Sequence, residues 1–251
     1  MQMGMRRILL NIIILLSILI PIDCIAQSEI YVVSVGISDY KNIGDLRLPE
    51  QDAKDVAKLY KTRTKHVILI TGRYATKERI LQSLRDQFSR ADEDDIIVFS
   101  FSGHGYQGGI CPYDMTNEKS SGITYQEIRN ILKQSQAKSK MIFADACFSG
   151  GIRSGNESNN SSYNDESNVL LFLSSRGGET SIESPFMVNG VFTNFLIRGL
   201  CGGADYNLDR KITAKELFDF VHQGVVEKSS DKQHPVMWGR FDNDAVMMDW
   251  R

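Results

Sequence analysis

Two apolar runs in this chain stop abruptly at glycine, each just after one chemically reactive side chain. Ile96–Phe101 leads into Ser102-Gly103-His104-Gly105, and Met141–Ala144 leads into Asp145-Ala146-Cys147-Phe148-Ser149-Gly150-Gly151. Short, continuous apolar runs of this kind suit strands buried on both faces, the kind that build parallel sheets. In an open parallel sheet, ligands bind beyond the carboxyl ends of the strands. The two runs are therefore expected to deliver a histidine and a cysteine to one sheet edge. A thiol needs a base to become a thiolate near neutral pH, and imidazole is the commonest base. Cys147 is read as a nucleophile and His104 as general base and acid, against the blander alternatives of a packed thiol and a turn histidine.

The rest of the chain alternates strand and helix. Ile30–Ile37, Val67–Thr71 and Val169–Ser174 read as further strands. Helices are expected at Gln51–Lys61, Lys77–Ser89 behind Thr76 as N-cap, Thr124–Leu132, Val191–Leu200 and Thr213–His222. Thr124 with Glu127, and Thr213 with Glu216, have the spacing of capping boxes. Alternating elements with apolar strands imply an α/β fold, a mostly parallel sheet with helices on both faces. A chain of 251 residues that is 42% hydrophobic can bury such a core as one domain or at most two small ones. A net charge of −2 leaves no basic field for nucleic acid.

The two glycine-broken motifs resemble those of the caspase and metacaspase cysteine peptidases, which carry Ser-Gly-His-Gly and Asp-x-Cys-x-Ser-Gly. The resemblance runs from Tyr31 to about Arg240, and the His-to-Cys gap is about 43 residues. It implies a three-layer α/β/α sandwich with a mostly parallel central sheet, and a Cys/His dyad acting on peptide bonds. It also implies an oxyanion hole from the amides of Gly105 and Cys147. Asp145 stands where caspases carry Gln, as in metacaspases and bacterial relatives, and this implies cleavage after Arg or Lys. Asp145 would then be one acid of an S1 pocket that pairs with the basic side chain. Asp52 lies where the family has an Asn-Asp-Ala motif, here Gln51-Asp52-Ala53, and Ser102 is implied to line the same pocket. Each has a local alternative: Asp145 bonding turn amides, Asp52 capping the helix that begins there, and Ser102 in a turn hydrogen bond. A catalytically silent caspase-fold interaction module is the rival reading. A serine hydrolase is disfavoured because no Gly-x-Ser-x-Gly elbow is present.

The N-terminus reads separately. Arg6 and Arg7, an apolar Ile8–Ile20, and Cys24-Ile25-Ala26 have the pattern of a secretory signal cut after Ala26. The expected domains are thus a signal peptide, 1–26, and a peptidase domain, 27–251, secreted or periplasmic, with no membrane contact unless the signal stays as an anchor. Residues 152–168 form a Ser/Asn-rich stretch read as a mobile loop, with a tolerated surface insertion as the equal alternative. Arg153 is the only basic residue between Cys147 and Arg176, which makes it the candidate for self-cleavage by an enzyme preferring basic residues.

Expected partners are protein or peptide substrates with a basic residue before the cut. No structural zinc site is expected, because no Cys-x-x-Cys occurs and the four histidines are scattered. Cys111 and Cys201 are read as a pair of buried thiols in preference to a disulfide. Asp205-x-Asn207-x-Asp209 through Glu216 has the spacing of a calcium-binding loop. Arg210, however, replaces the glycine that such a loop's sharp turn calls for. The segment is read as an Asp/Asn-rich turn. Calcium dependence is common in metacaspases but is assigned to no residue here, and no cofactor is expected.

Overall fold

The computed structural model describes residues 28–106, 108–146, 169–175, 188–239 and 243–251. The first half of the chain comprises β1 (Ile30–Gly36), α1 (Pro49–Lys61), β2 (Val67–Thr71), α2 (Lys77–Phe88) and β3 (Ile96–Ser102). Three two-residue strands follow, β4 (Gly105–Tyr106), β5 (Gly109–Ile110) and β6 (Ile123–Thr124), and then α3 (Tyr125–Gln134) and β7 (Ser139–Asp145). The remainder holds β8 (Val169–Leu173), α4 (Val191–Arg198), β9 (Lys211–Thr213), α5 (Ala214–Lys228), β10 (Val236–Trp238) and β11 (Val246–Asp249).

Six strands form the central sheet in the order β10-β8-β7-β3-β1-β2. All neighbours run parallel except β10, which lies antiparallel to β8 at one edge. Successive side chains of a strand point to opposite faces, so an all-apolar strand needs cover on both. Val33, Val35, Phe99 and Phe101 pack on one side with Ile80, Leu84 and Phe88 of α2 and Ile128 and Leu132 of α3. On the other side Val32, Val98, Phe143 and Phe172 meet Val56 and Tyr60 of α1, Phe192 and Leu196 of α4, and Leu217 and Val221 of α5. The result is the expected α/β/α sandwich.

Helix starts follow the sequence signals closely. Thr76 accepts a hydrogen bond from the Arg79 amide, and both expected capping boxes form, Thr124 with Glu127 and Thr213 with Glu216. α1 differs: it begins at Pro49, with Leu48 as its N-cap, so Asp52 sits inside the helix and caps nothing. Proline suits the first turn of a helix because its missing N–H has no partner there anyway. At the far end of α3, buried Lys140 donates through Nζ to the carbonyls of Leu132 (2.9 Å) and Ser135 (2.8 Å), tying off the helix.

The Asp205 loop folds as an Asx-rich turn. The Asp205 carboxylate accepts the amides of Asp209 (3.1 Å) and Arg210 (3.0 Å), and Arg210 adopts φ 66°. Arginine therefore takes the left-handed conformation that glycine would fill most cheaply. Those two charge-assisted bonds offset its steric cost. Among the described residues, no group of three or more His, Cys, Asp or Glu side chains is placed to hold a metal ion.

The two cysteines among the described residues are not a buried pair. Cys111 is buried, whereas Cys201 is exposed, which corrects the expectation that both are buried. Burial pushes the Cys111 thiol up to about 12 and also raises that of Cys201. Among the described residues no helix is long and apolar enough to cross a membrane. Residues 1–26, Cys147, Arg153 and the 152–168 stretch lie outside the described residues.

Candidate active site

The strands that lead to His104 and to Cys147 are immediate neighbours. β3 and β7 pair in parallel, with Ser102 opposite Asp145 at their carboxyl ends. The Gly103 amide donates to the Asp145 carbonyl (3.1 Å), so the two chains stay joined one residue before His104 and two before Cys147. Strand register thus sets the residues leading to His104 and to Cys147 side by side at one sheet edge.

His104 is held at two points. Its amide donates to the Tyr40 hydroxyl (2.7 Å), and its Nε2 lies 2.8 Å from the Gly44 carbonyl oxygen. A carbonyl only accepts, so this contact requires the proton on Nε2. Nδ1 is then the nitrogen with a lone pair in the neutral ring. Sequence reasoning named no partner for His104, and a backbone carbonyl leaves no trace in residue identity.

The next residue, Gly105, begins the small hairpin β4–β5 and faces Ile110. Cys111 N donates to His104 O (2.9 Å) around that pair. In an antiparallel ladder this marks Gly105 and Ile110 as the non-hydrogen-bonded pair, so the Gly105 amide is not engaged by Ile110.

Beneath the strand ends lie two buried carboxylates. Asp52 is 2% and Asp145 8% exposed. Asp52 accepts from the Ser102 hydroxyl (2.8 Å) and the Gly190 amide (3.0 Å). Asp145 Oδ2 accepts from the Thr193 hydroxyl (2.9 Å) and amide (3.3 Å), in the first turn of α4. The two acids converge on Gly190. A methyl group there would come within 2.6 Å of Asp145 Oδ2 and 3.2 Å of Asp52 Oδ2, so only glycine fits between them. Burial, and next the charge of Asp145, push the Asp52 carboxyl up to about 7; the Ser102 and Gly190 hydrogen bonds pull the other way.

All three residues expected to line the basic pocket therefore come together. Ser102 bonds Asp52 and not a local turn. Asp145 does bond an N–H group, as its alternative reading allowed, but in a helix distant in sequence. Gly190, Thr193 and Asn189, whose Nδ2 donates to Asp55 (3.0 Å), complete the surroundings and were not anticipated. Only the topology that folds α4 back over β7 brings them in.

Residues 31–245 match the family model described as Caspase domain. No curated protein matches the sequence. Among solved structures, the chain is similar to the crystal structure of protein GSU0716 from Geobacter sulfurreducens. The identity is 18% and the TM-score 0.67, over 88% of this chain and 98% of that one. At that identity the likeness speaks for the fold alone. With the family match spanning nearly the whole described chain, and with the paired strands that carry both of its motifs, this chain belongs to the caspase-domain family.

Proposed function

We propose that this protein is an exported cysteine endopeptidase that cuts after arginine or lysine. Family membership supports a caspase-like peptidase acting on proteins. The finer reading rests on one observation, the convergence of Asp52 and Asp145 at Gly190 below the strand ends that carry His104 and lead to Cys147. Two carboxylates brought out of water beside each other are costly unless a cation pairs with them. A guanidinium or ammonium group entering from the substrate supplies that cation. Export rests on the signal-like pattern of residues 1–26.

In the proposed reaction the Cys147 thiol gives its proton to Nδ1 of His104 and its sulfur attacks the scissile carbonyl carbon. The amides of Gly105 and Cys147 hold the resulting oxyanion. His104 then returns the proton to the leaving amine as the C–N bond breaks. Water attacks the thioester, His104 taking its proton, and releases the acid and the thiolate. The Gly44 carbonyl stabilises the imidazolium formed between these steps.

Peptidyl-Arg, peptidyl-Lys and peptidyl-Asp reporters of otherwise equal sequence test the specificity. Turnover of the Arg and Lys reporters over the Asp reporter is expected, since an acidic residue would meet two buried carboxylates. Preference for the Asp reporter would overturn the pocket assignment, and no turnover of any reporter would favour the silent interaction module.

A further inference from the structure

His104 stands between two glycines, so its own backbone does little to fix the imidazole. The fixing comes from another part of the chain. Tyr40 is 8% exposed, its hydroxyl accepts the His104 amide, and its ring lies 5.0 Å from the imidazole, centroid to centroid. Tyr40's own amide donates to Asp45 Oδ1 (2.9 Å), closing a loop that presents the Gly44 carbonyl to His104 Nε2. One six-residue loop thus holds both the backbone and the ring of His104.

That loop is itself anchored. Leu46 N donates to Ser38 O (2.8 Å), Lys41 N to Tyr113 O (3.1 Å) and Asn42 Nδ2 to Met115 O (2.9 Å). The Tyr40 hydroxyl also occupies the space of a side chain at position 103: a Cβ on Gly103 would fall 2.6 Å from it. The tyrosine, together with the Phe101 ring 2.9 Å from the same point, therefore explains the glycine before His104. We propose that Tyr40 is a positioning residue for His104, with Asp45 setting the loop that lets the Tyr40 hydroxyl and the Gly44 carbonyl act together.

The kinetic consequence rests on the peptidase reading, but the geometric one does not. Misplacing a proton-transfer group by about 1 Å costs on the order of 10²-fold in rate. Tyr40→Phe, which removes only the hydroxyl, is expected to lower kcat roughly 10- to 10²-fold and to leave KM within about twofold. KM should hold because the basic pocket is built from Asp52, Asp145 and Ser102, none of which touches Tyr40 in the contacts described. Nitrogen-15 NMR of labelled histidine, with His104 assigned through a His104→Gln variant, reads the ring directly. The neutral wild-type ring should carry its proton on Nε2, and Tyr40→Phe should give a mixture of tautomers.

Asp45 is exposed, so its variants spare the core. Asp45→Ala should reproduce the kcat loss and the mixed tautomers, whereas Asp45→Asn, which keeps an oxygen acceptor for Tyr40 N, should retain wild-type behaviour. An unchanged tautomer in folded Tyr40→Phe and Asp45→Ala overturns the proposal. If the wild type turned over no reporter, the peptidase reading would fall while the NMR result still decided the positioning role.

Discussion

Cys147→Ala is expected to lower turnover of a peptidyl-Arg reporter on the order of 10⁴-fold or more, as loss of a nucleophile does where one has been removed. The substitution deletes a single sulfur atom, so melting temperature and circular dichroism should stay close to wild type. The same variant tests self-processing. We propose Arg153 as the self-cleavage site. Wild-type protein should then yield one fragment ending at Arg153 and another beginning at Ser154 by mass spectrometry, and Cys147→Ala should remain whole. Near-wild-type turnover in this variant would place the nucleophile elsewhere, and a wild-type chain that stays intact while fully active would remove the self-processing idea alone.

Asp52→Asn should trade activity for stability. Removing one partner of a buried charge pair commonly costs 2–5 kcal/mol, so kcat/KM for the Arg reporter is expected to fall on the order of 10²-fold or more. Asparagine keeps an oxygen for the Gly190 amide and a polar partner for Ser102, while it removes the charge that crowds Asp145. The Asp52 carboxyl lies near 7 in the folded protein and near the ordinary 3.9 when unfolded, so the folded state holds the extra proton between those values. Stability of the empty enzyme therefore falls as pH rises through that window. A basic substrate side chain displaces the proton, so KM for the Arg reporter should drop as pH rises through about 7. In Asp52→Asn this contribution to both pH dependences should vanish, and the melting temperature at pH 8 should exceed that of wild type. A lower melting temperature at pH 8 would show that the two carboxylates do not strain the empty pocket.

Much of this architecture was legible because it depends on periodicity and end signals. Val67–Thr71 forms a strand with the expected bounds, and Thr76, Thr124 and Thr213 all cap the helices they precede. The small hairpin strands and β9, β10 and β11 escaped notice, since two to four residues give no period to read. Within the site, His104, Asp145, Asp52 and Ser102 were visible as residue types in motifs. Gly44 was not, because its contribution is a carbonyl common to every residue. Tyr40 and Gly190 were hidden for another reason: their roles exist only through contacts across 64 and 138 residues of sequence. Asp52 illustrates the limit of local reasoning. Its place near a helix start suggested a cap, but the proline two residues after Arg47 moved the helix start upstream.

The central claim, a thiol at Cys147 reached through a pocket for basic side chains, is tested most directly by affinity labelling. The protein is incubated with a peptidyl-arginyl chloromethyl ketone and the modified cysteine is located by peptide mass mapping. Cys111 is buried with its thiol pushed up to about 12, and Cys201, though exposed, also has its thiol raised. Thiolates are the reacting species, so neither should compete. The account predicts one adduct, on Cys147, that excess Arg reporter suppresses and that the corresponding aspartyl ketone fails to form. An adduct on Cys201 alone, or equal labelling of Cys147 by the aspartyl reagent, would contradict it.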